Sequence, residues 1–494
     1  MNYHALISKL PGVEGPKKYL DFKSRLKWTA AVVVLYLAMG QIPVFGITQA
    51  AAEQFSFLQI VLGASIGSLV TLGIGPIVTS SIILQLLVGS GLLPWDTKSE
   101  AGQAKFQGTQ KLLTIVFAIF ESIAFVSLGA IQPQPGMLPI VVLQLALGAI
   151  LVLLFDEVVS KWGIGSGVSL FIAAGVTKGI FIGAFNPFSA QGSEIAAGII
   201  PAAFSLLSTG QIAQTVLRFL PLIATILVFF IVVYVQAIRV EIPLAFGSIR
   251  GFARRWPLKF IYTSNIPVIL AGALLANLQL VGRSLGIPLL AATNAEGQIT
   301  GGLLYFFTVP NTTPVQIFSL ALLASVFIFG MLSIYFDKGG LKTFGVSIVF
   351  GFLVAFGVSL ATFGLPTFEN SVRLIGRLLF YSAGATIFSI FWVETSGMDS
   401  GSVADQIQDM GMKVPGFRKD PRIIRKILDR YIPPLAVMGG IFVGLVASFA
   451  DFTGALGTGT GILLTVMILF NLYEQIGQQY MEDMNPAVRK FFQG

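Results

Sequence analysis

Cysteine is absent from the 494-residue sequence, and histidine occurs once, as His4. Disulfides, thiolate metal sites and cysteine nucleophiles are thereby excluded. A lone histidine in the polar N-terminal stretch leaves no Ser-His or Cys-His pair and no multi-histidine metal site in the apolar segments. Charge is scarce as well. Only 11% of residues are charged, against about 25% in ordinary soluble domains. So few charges do not cover a water-facing surface. With 55% hydrophobic residues and a mean hydropathy of +0.83, most of the chain is solvated by lipid.

What is present is a series of long apolar runs. A membrane span needs roughly 20 apolar residues. Twelve stretches qualify: about 28–46, 69–92, 109–130, 138–155, 166–185, 217–237, 260–281, 316–336, 344–364, 374–394, 432–450 and 459–476. A thirteenth, 55–66, is too short to cross and reads as a half-helix or re-entrant segment. Basic residues gather on the cytoplasmic side of membrane proteins. With the N-terminus inside, 26 of the 31 Lys and Arg fall in inner segments; the other five are Lys178, Arg218, Arg283, Arg373 and Arg377. That split predicts twelve crossings and both termini in the cytoplasm, so the net charge of +8 is mainly a topology signal. Residues 1–27 lack the apolar region and cleavage site of a signal peptide. Phe22, Leu26 and Trp28 among Lys17, Lys18, Lys23, Arg25 and Lys27 suggest an amphipathic helix on the inner surface.

Two inner loops are more basic than orientation requires. Residues 238–259 turn at Gly247 and carry Arg250, Arg254, Arg255 and Lys259, a pattern for a hairpin with a basic tip. Residues 395–431 carry Arg418 and Lys419 and then a basic helix to Arg430. Both suit either anionic lipid or an RNA-rich or acidic cytoplasmic partner.

Catalytic motifs fail on context. Gly63-Ala64-Ser65-Ile66-Gly67 has the letters of a serine nucleophile elbow but no histidine. Gly163-Ile164-Gly165-Ser166-Gly167 and Gly457-Thr458-Gly459-Thr460-Gly461 follow no soluble strand, and no Gly-Lys-Ser/Thr occurs. They read as flexible helix starts where backbones pack tightly. Asn311-Thr312-Thr313 is a glycosylation sequon on the expected outer side. Glu121 is the clearest ionisable residue inside a span, suited to a polar contact between helices or to a gate. Gly73-Ile74-Gly75-Pro76, Asn265-Ile266-Pro267 and Tyr431-Ile432-Pro433-Pro434 interrupt helices near their starts. Broken helices serve channels and secondary transporters alike, and both readings stand at this level.

An ordered set of stretches resembles the SecY family, the central subunit of the Sec protein translocon, in its archaeal form. It runs from Thr71-Leu72-Gly73-Ile74-Gly75-Pro76-Ile77-Val78-Thr79 and Gln85-Leu86-Leu87-Val88-Gly89-Ser90-Gly91, through Phe106-Gln107-Gly108 and Asp156-Glu157, to Arg239-Val240-Glu241-Ile242-Pro243-Leu244-Ala245. It continues with Ser264-Asn265-Ile266-Pro267, Phe391-Trp392-Val393-Glu394-Thr395, Gly454-Ala455-Leu456-Gly457 and Gly459-Thr460-Gly461-Ile462-Leu463-Leu464. The resemblance implies an all-α polytopic membrane protein, a ten-helix channel of two inverted halves. The organisation it implies is an amphipathic N-terminus (1–27), a first half (28–215), a second half (216–477) and a C-terminal tail (478–494). The sequence departs from the family by an extra hairpin at about 315–370, which follows a gate helix in sequence.

The resemblance also implies roles. The short segment is the plug, with Phe55, Phe57, Leu58, Ile60, Val61 and Leu62. Ile74, Val78, Val168, Ile172, Ile269 and Leu464 form a pore ring, in which Val168 is small for its place. Thr79, Glu121 and Asn265 form the polar cluster of a lateral gate. Arg250, Arg254, Arg255, Lys259, Arg418 and Lys419 dock the ribosome through its RNA. The implied partners are a SecE-like subunit, a third small Sec subunit (Sec beta-like), the ribosome, signal peptides, nascent chains and membrane lipids. The expected place is the cell membrane, and the expected function is passive conduction of unfolded polypeptide, with no cofactor and no catalysis.

Overall fold

In a computed structural model, residues 11–50, 67–89, 91–95, 99–127, 131–189, 195–246, 253–263, 265–285, 287–294, 299–310, 312–335, 341–409, 412–413 and 421–484 are described. Each of the twelve apolar stretches contains a helix. In the first half these are α1 (Phe22–Met39), α2 (Gly75–Gly89), α3 (Glu100–Ser127), α4 (Leu138–Trp162) and α5 (Gly167–Phe185). A short helix, α6 (Ile199–Ser208), leads to α7 (Ile212–Gln236). The second half continues with α8 (Ile266–Leu285), α9 (Thr313–Tyr335), α10 (Leu341–Thr362) and α11 (Phe368–Thr395). Two short helices, α12 (Ser400–Asp409) and α13 (Pro421–Leu428), precede α14 (Ile432–Phe452) and α15 (Gly459–Met484). Among the described residues nine helices are long and apolar enough to cross a membrane, with α2 and α8 apolar but shorter.

Helix boundaries follow the local chemistry. Pro139 and Pro433 sit in first turns, where the missing N–H costs nothing. Pro221 lies inside α7, and the Thr225 hydroxyl donates to its carbonyl at 2.7 Å, reusing an acceptor inside lipid. α1 is one unbroken helix from Phe22, so Lys23, Arg25 and Lys27 form its first turns instead of a separate surface helix. The preceding tail lies on the end of α4. Val13 N donates to Glu157 Oε2 at 2.9 Å, Lys161 Nζ donates to the Val13 carbonyl at 2.6 Å, and Trp162 Nε1 donates to the Glu14 carbonyl at 2.8 Å.

The halves meet along two seams. At the front, α2, which packs on α3, lies against α8 and α11. At the back, α5 and α1 lie against α15. One large apolar cluster runs between them and takes buried side chains from both halves. The extra hairpin, α9–α10, is closed by the Ser325 hydroxyl donating to the Gly351 carbonyl at 3.2 Å. Its main neighbours are α14 and α7, with the Phe327 and Tyr234 rings 6.1 Å apart. Following α8 in sequence therefore does not put the hairpin on the front seam.

The two basic inner loops share one small sheet. Strands β1 (Arg239–Phe246) and β2 (Ala253–Lys259) pair antiparallel, with Arg239 opposite Lys259 and Ala245 opposite Ala253. Met412–Lys413 adds to the free edge of β1, with Ala245 opposite Lys413. Ile242, Leu258, Val403, Ile407, Ile424 and Leu428 form a separate core beneath this layer.

Candidate functional site

The six residues expected to ring the pore come from four helices and both halves. Ile74 and Val78 lie at the start of α2, and Val168 and Ile172 lie in the first turns of α5. Ile269 lies on α8 and Leu464 on α15. Ile74, Ile172 and Leu464 are 0% exposed, and Val78 and Ile269 no more than 5%. Val168 is half-buried, and all six belong to or pack on the central apolar cluster. Branched aliphatic side chains gathered this way exclude water, and a dewetted constriction stops ions without closing off a flexible apolar surface.

The front seam carries the polar cluster, with one change of member. Thr79 Oγ1 donates to Glu121 Oε1 at 2.7 Å, joining α2 to α3. Asn277 Nδ2, on α8, donates to Thr79 Oγ1 at 3.2 Å, joining the halves. Asn265, the residue expected from sequence, is buried at the head of α8. It precedes Asn277 by twelve residues, about 18 Å of helix, so the two do not share Thr79. Asn277 was missed because one amide in an apolar helix carries no pattern. Further along, a Cβ on Gly89 would lie 2.7 Å from the Phe391 ring, so α2 and α11 are in direct contact.

A buried ionic network, also missed, braces the outer end of the second half. Arg377 on α11 pairs with Asp451 on α14, and their side chains are 1% and 2% exposed. Arg377 Nη1 donates to the Phe307 carbonyl at 2.8 Å, and its guanidinium lies 4.9 Å from the centre of the Tyr381 ring. Asp451 also accepts from Thr460 N at 2.7 Å and from Thr460 Oγ1 at 2.8 Å. The sequence revealed Arg377 only as an outer-side base; a basic residue well inside an apolar run was the available signal. Nearby, Arg373 Nη2 donates to Thr308 Oγ1 at 2.8 Å and lies 4.5 Å from the Tyr305 ring centre. Glu369 accepts from the Tyr305 hydroxyl, which pushes that phenol above its ordinary range.

In the small sheet, Arg254 and Arg255 sit on β2, opposite Leu244 and Pro243. Lys259 points elsewhere than a docking tip. Its ammonium pairs with Glu474 on α15, which also accepts from Arg239 Nη2 at 3.1 Å. One carboxylate thus ties both strands at the hairpin base to the helix that carries Leu464. Arg250, Arg418 and Lys419 lie outside the described residues, as do the plug residues Phe55, Phe57, Leu58, Ile60, Val61 and Leu62, and Asn311.

Comparison with known proteins agrees with this geometry. A SecY family profile matches residues 68–473, and a profile for the plug domain of Sec61p matches residues 34–67. The chain is 42% identical to the protein translocase subunit SecY of Methanothermobacter thermautotrophicus over 99% of this chain and 98% of that protein. It is 40% identical to the same subunit of Methanocaldococcus jannaschii over 98% of each. A solved protein-conducting channel superposes with a TM-score of 0.79 at 38% identity, covering 99% of both chains. Sec61 of the canine ribosome-channel complex from the endoplasmic reticulum superposes with a TM-score of 0.76 at 38% identity, again over 99% of both. The chain belongs to the SecY family.

Proposed function

We propose that this chain is the channel subunit of a protein translocase, through which unfolded polypeptide crosses the membrane and from which apolar segments leave sideways into lipid. The observation that carries this reading is the buried aliphatic ring drawn from both halves in a chain of this family. Ile74, Val78, Val168, Ile172, Ile269 and Leu464 seal the resting pore, and the segment about 55–66 plugs it. Thr79, Glu121 and Asn277 hold the lateral gate at the front seam, a role supported by their bonds between helices. Arg250, Arg254, Arg255, Arg418 and Lys419 meet ribosomal RNA, and the sharing of one sheet by the two loops supports a single docking surface. Lys259 serves the base of that surface. A SecE-like subunit and a third small subunit complete the assembly in the cell membrane, with both termini cytoplasmic as the charge split requires. The channel is passive and non-enzymatic, and its motive force comes from the partner.

The test is crosslinking from a ribosome-stalled nascent chain to photoreactive residues placed at positions 74 and 269. Crosslinks at both positions are expected. Their absence, with crosslinks confined to outer helix surfaces, would refute the pore. A secondary transporter, the other reading that broken helices allow, would instead show saturable uptake of a small solute by the chain alone.

A further inference from the structure

The two glycine-rich stretches, 163–167 and 457–461, share an interhelix aspartate cap, built once in each half. In the first half, Gly165 has φ +85 and α5 begins two residues later, at Gly167. Val168 N, in the first turn, donates to Asp156 Oδ1 at 2.9 Å. A Cβ on Gly167 would lie 2.6 Å from Asp156 Cα. In the second half, Gly457 has φ +69 and α15 begins two residues later, at Gly459. Thr460 N, in the first turn, donates to Asp451 Oδ1 at 2.7 Å. A Cβ on Gly459 would lie 1.9 Å from the Ala450 carbonyl carbon. In both, an aspartate near the end of one helix takes an orphan first-turn N–H of the next, across a left-handed glycine and a glycine that admits backbone contact.

Helix starts need acceptors for their first N–H groups, and these usually come from the N-cap residue itself. At α5 the N-cap Ser166 makes no side-chain cap bond and the carboxylate of the preceding helix takes its place, whereas at α15 the Thr458 hydroxyl accepts from Gly461 N at 3.1 Å and the Asp451 carboxylate adds to that local cap. A local cap fixes only its own helix. A cap from a neighbouring helix fixes the position of one helix against another, and its negative charge suits the positive helix end. The helices so fixed carry the ring. Val168 is the capped residue and Ile172 lies one turn on. Leu464 lies one turn beyond the capped Thr460.

We propose that Asp156 and Asp451 are positioning residues for the pore constriction, one in each half, holding α5 and α15 at the depth and angle where their aliphatic side chains close the ring. The proposal rests on the reading of that ring as the seal. A dewetted constriction depends steeply on its radius, so a small shift of either helix start admits water and ions.

The test is the resting ion conductance of the reconstituted full-length channel complex. Asp156→Ala removes the acceptor, whereas Asp156→Asn keeps an oxygen for Val168 N. A several-fold rise in resting conductance is expected for Asp156→Ala, with near-native tightness for Asp156→Asn. Gly167→Ala, which leaves the carboxylate but drives a methyl against Asp156 Cα, is expected to leak as well. Ile172→Gly serves as the reference for a broken ring. If Ile172→Gly leaks and Asp156→Ala is as tight as the parent, the positioning role is overturned and the ring stands. If Ile172→Gly does not leak, the ring reading itself fails. If Asp156→Ala and Gly167→Ala both fail to accumulate as folded channels, the aspartate is purely structural and the proposal is overturned.

Discussion

The front and back seams join the same two halves by different means. At the back, the turn leading into α15 meets α5 through aliphatic side chains seated on glycines. A Cβ on Gly457 would sit 3.1 Å from Ile180 and 3.4 Å from Val176, and one on Gly183 would lie 2.9 Å from Leu456. At the front, the described polar link across the seam is a side-chain bond, Asn277 to Thr79. Apolar contact between helices is not driven by water inside a bilayer, because lipid is as apolar as the side chains. Close packing of side chains on glycines therefore holds the back seam. A hydrogen bond between side chains, about 0.6–2 kcal/mol in lipid, closes a seam that an apolar guest segment outcompetes. The difference supports the proposal of a hinge at the back and an opening at the front.

A hinge also requires each half to move as a body, and there the largest mutational effect is expected. Arg377→Leu leaves Asp451 buried without its cation and is expected to destabilise the second half by about 3–5 kcal/mol, read as a lower thermal unfolding midpoint in detergent. Its first-half counterpart joins α3 to α4 through Lys111 and Glu157, whose side chains are 18% and 16% exposed. Lys111→Leu is expected to cost about 0–1 kcal/mol, because Val13 N and Lys161 still partner the Glu157 carboxylate and water reaches it in part. Equal costs would contradict the contrast between a braced outer end and a wet inner end. Gly457→Val breaks the back seam twice, through its φ of +69 and its contact with Ile180. A left-handed residue of that kind costs about 1–3 kcal/mol, and the variant is expected to assemble poorly, measured by its yield as a monodisperse complex. Thr79→Val acts on the front alone. Losing its bonds to Glu121 and Asn277 is expected to ease opening by about 1–2 kcal/mol, seen as membrane release of segments too weakly apolar for the parent channel. Glu474→Gln is the smallest expected change, about 0–1 kcal/mol for a partly exposed pair. It should loosen the hairpin base and speed its proteolysis while leaving both seams intact.

Local chemistry was legible in the sequence, and pairing across the chain was not. Twelve apolar stretches and the positions of basic residues follow from lipid solvation, which each segment meets by itself, and every stretch holds a helix. The short helix α6 escaped notice because ten residues do not span. The ring residues were recognisable only through resemblance, since an aliphatic facing a pore and one facing lipid look alike in sequence. Asn277, Arg377 and Asp451 take their meaning from partners 198, 70 and 9 positions away, namely Thr79, Phe307 and Thr460. Even the short spacing of the last was unreadable, because it depends on how α15 turns back on α14. Lys259 looked like its basic neighbours until Glu474, 215 positions later, claimed it.

The central claim is that the channel opens at the front seam about a fixed back seam, and the absence of cysteine makes it directly testable. Cysteines replacing Thr79 and Asn277 place a pair across the front, and cysteines replacing Gly183 and Leu456 place one across the back. Each pair is bridged by a short bis-maleimide, each maleimide adding one cysteine thiol across its double bond, and release of an apolar segment into the bilayer is measured against the unbridged variant. The front bridge is expected to abolish release and the back bridge to leave it unchanged. Release through a front-bridged channel at the unbridged rate would contradict the account.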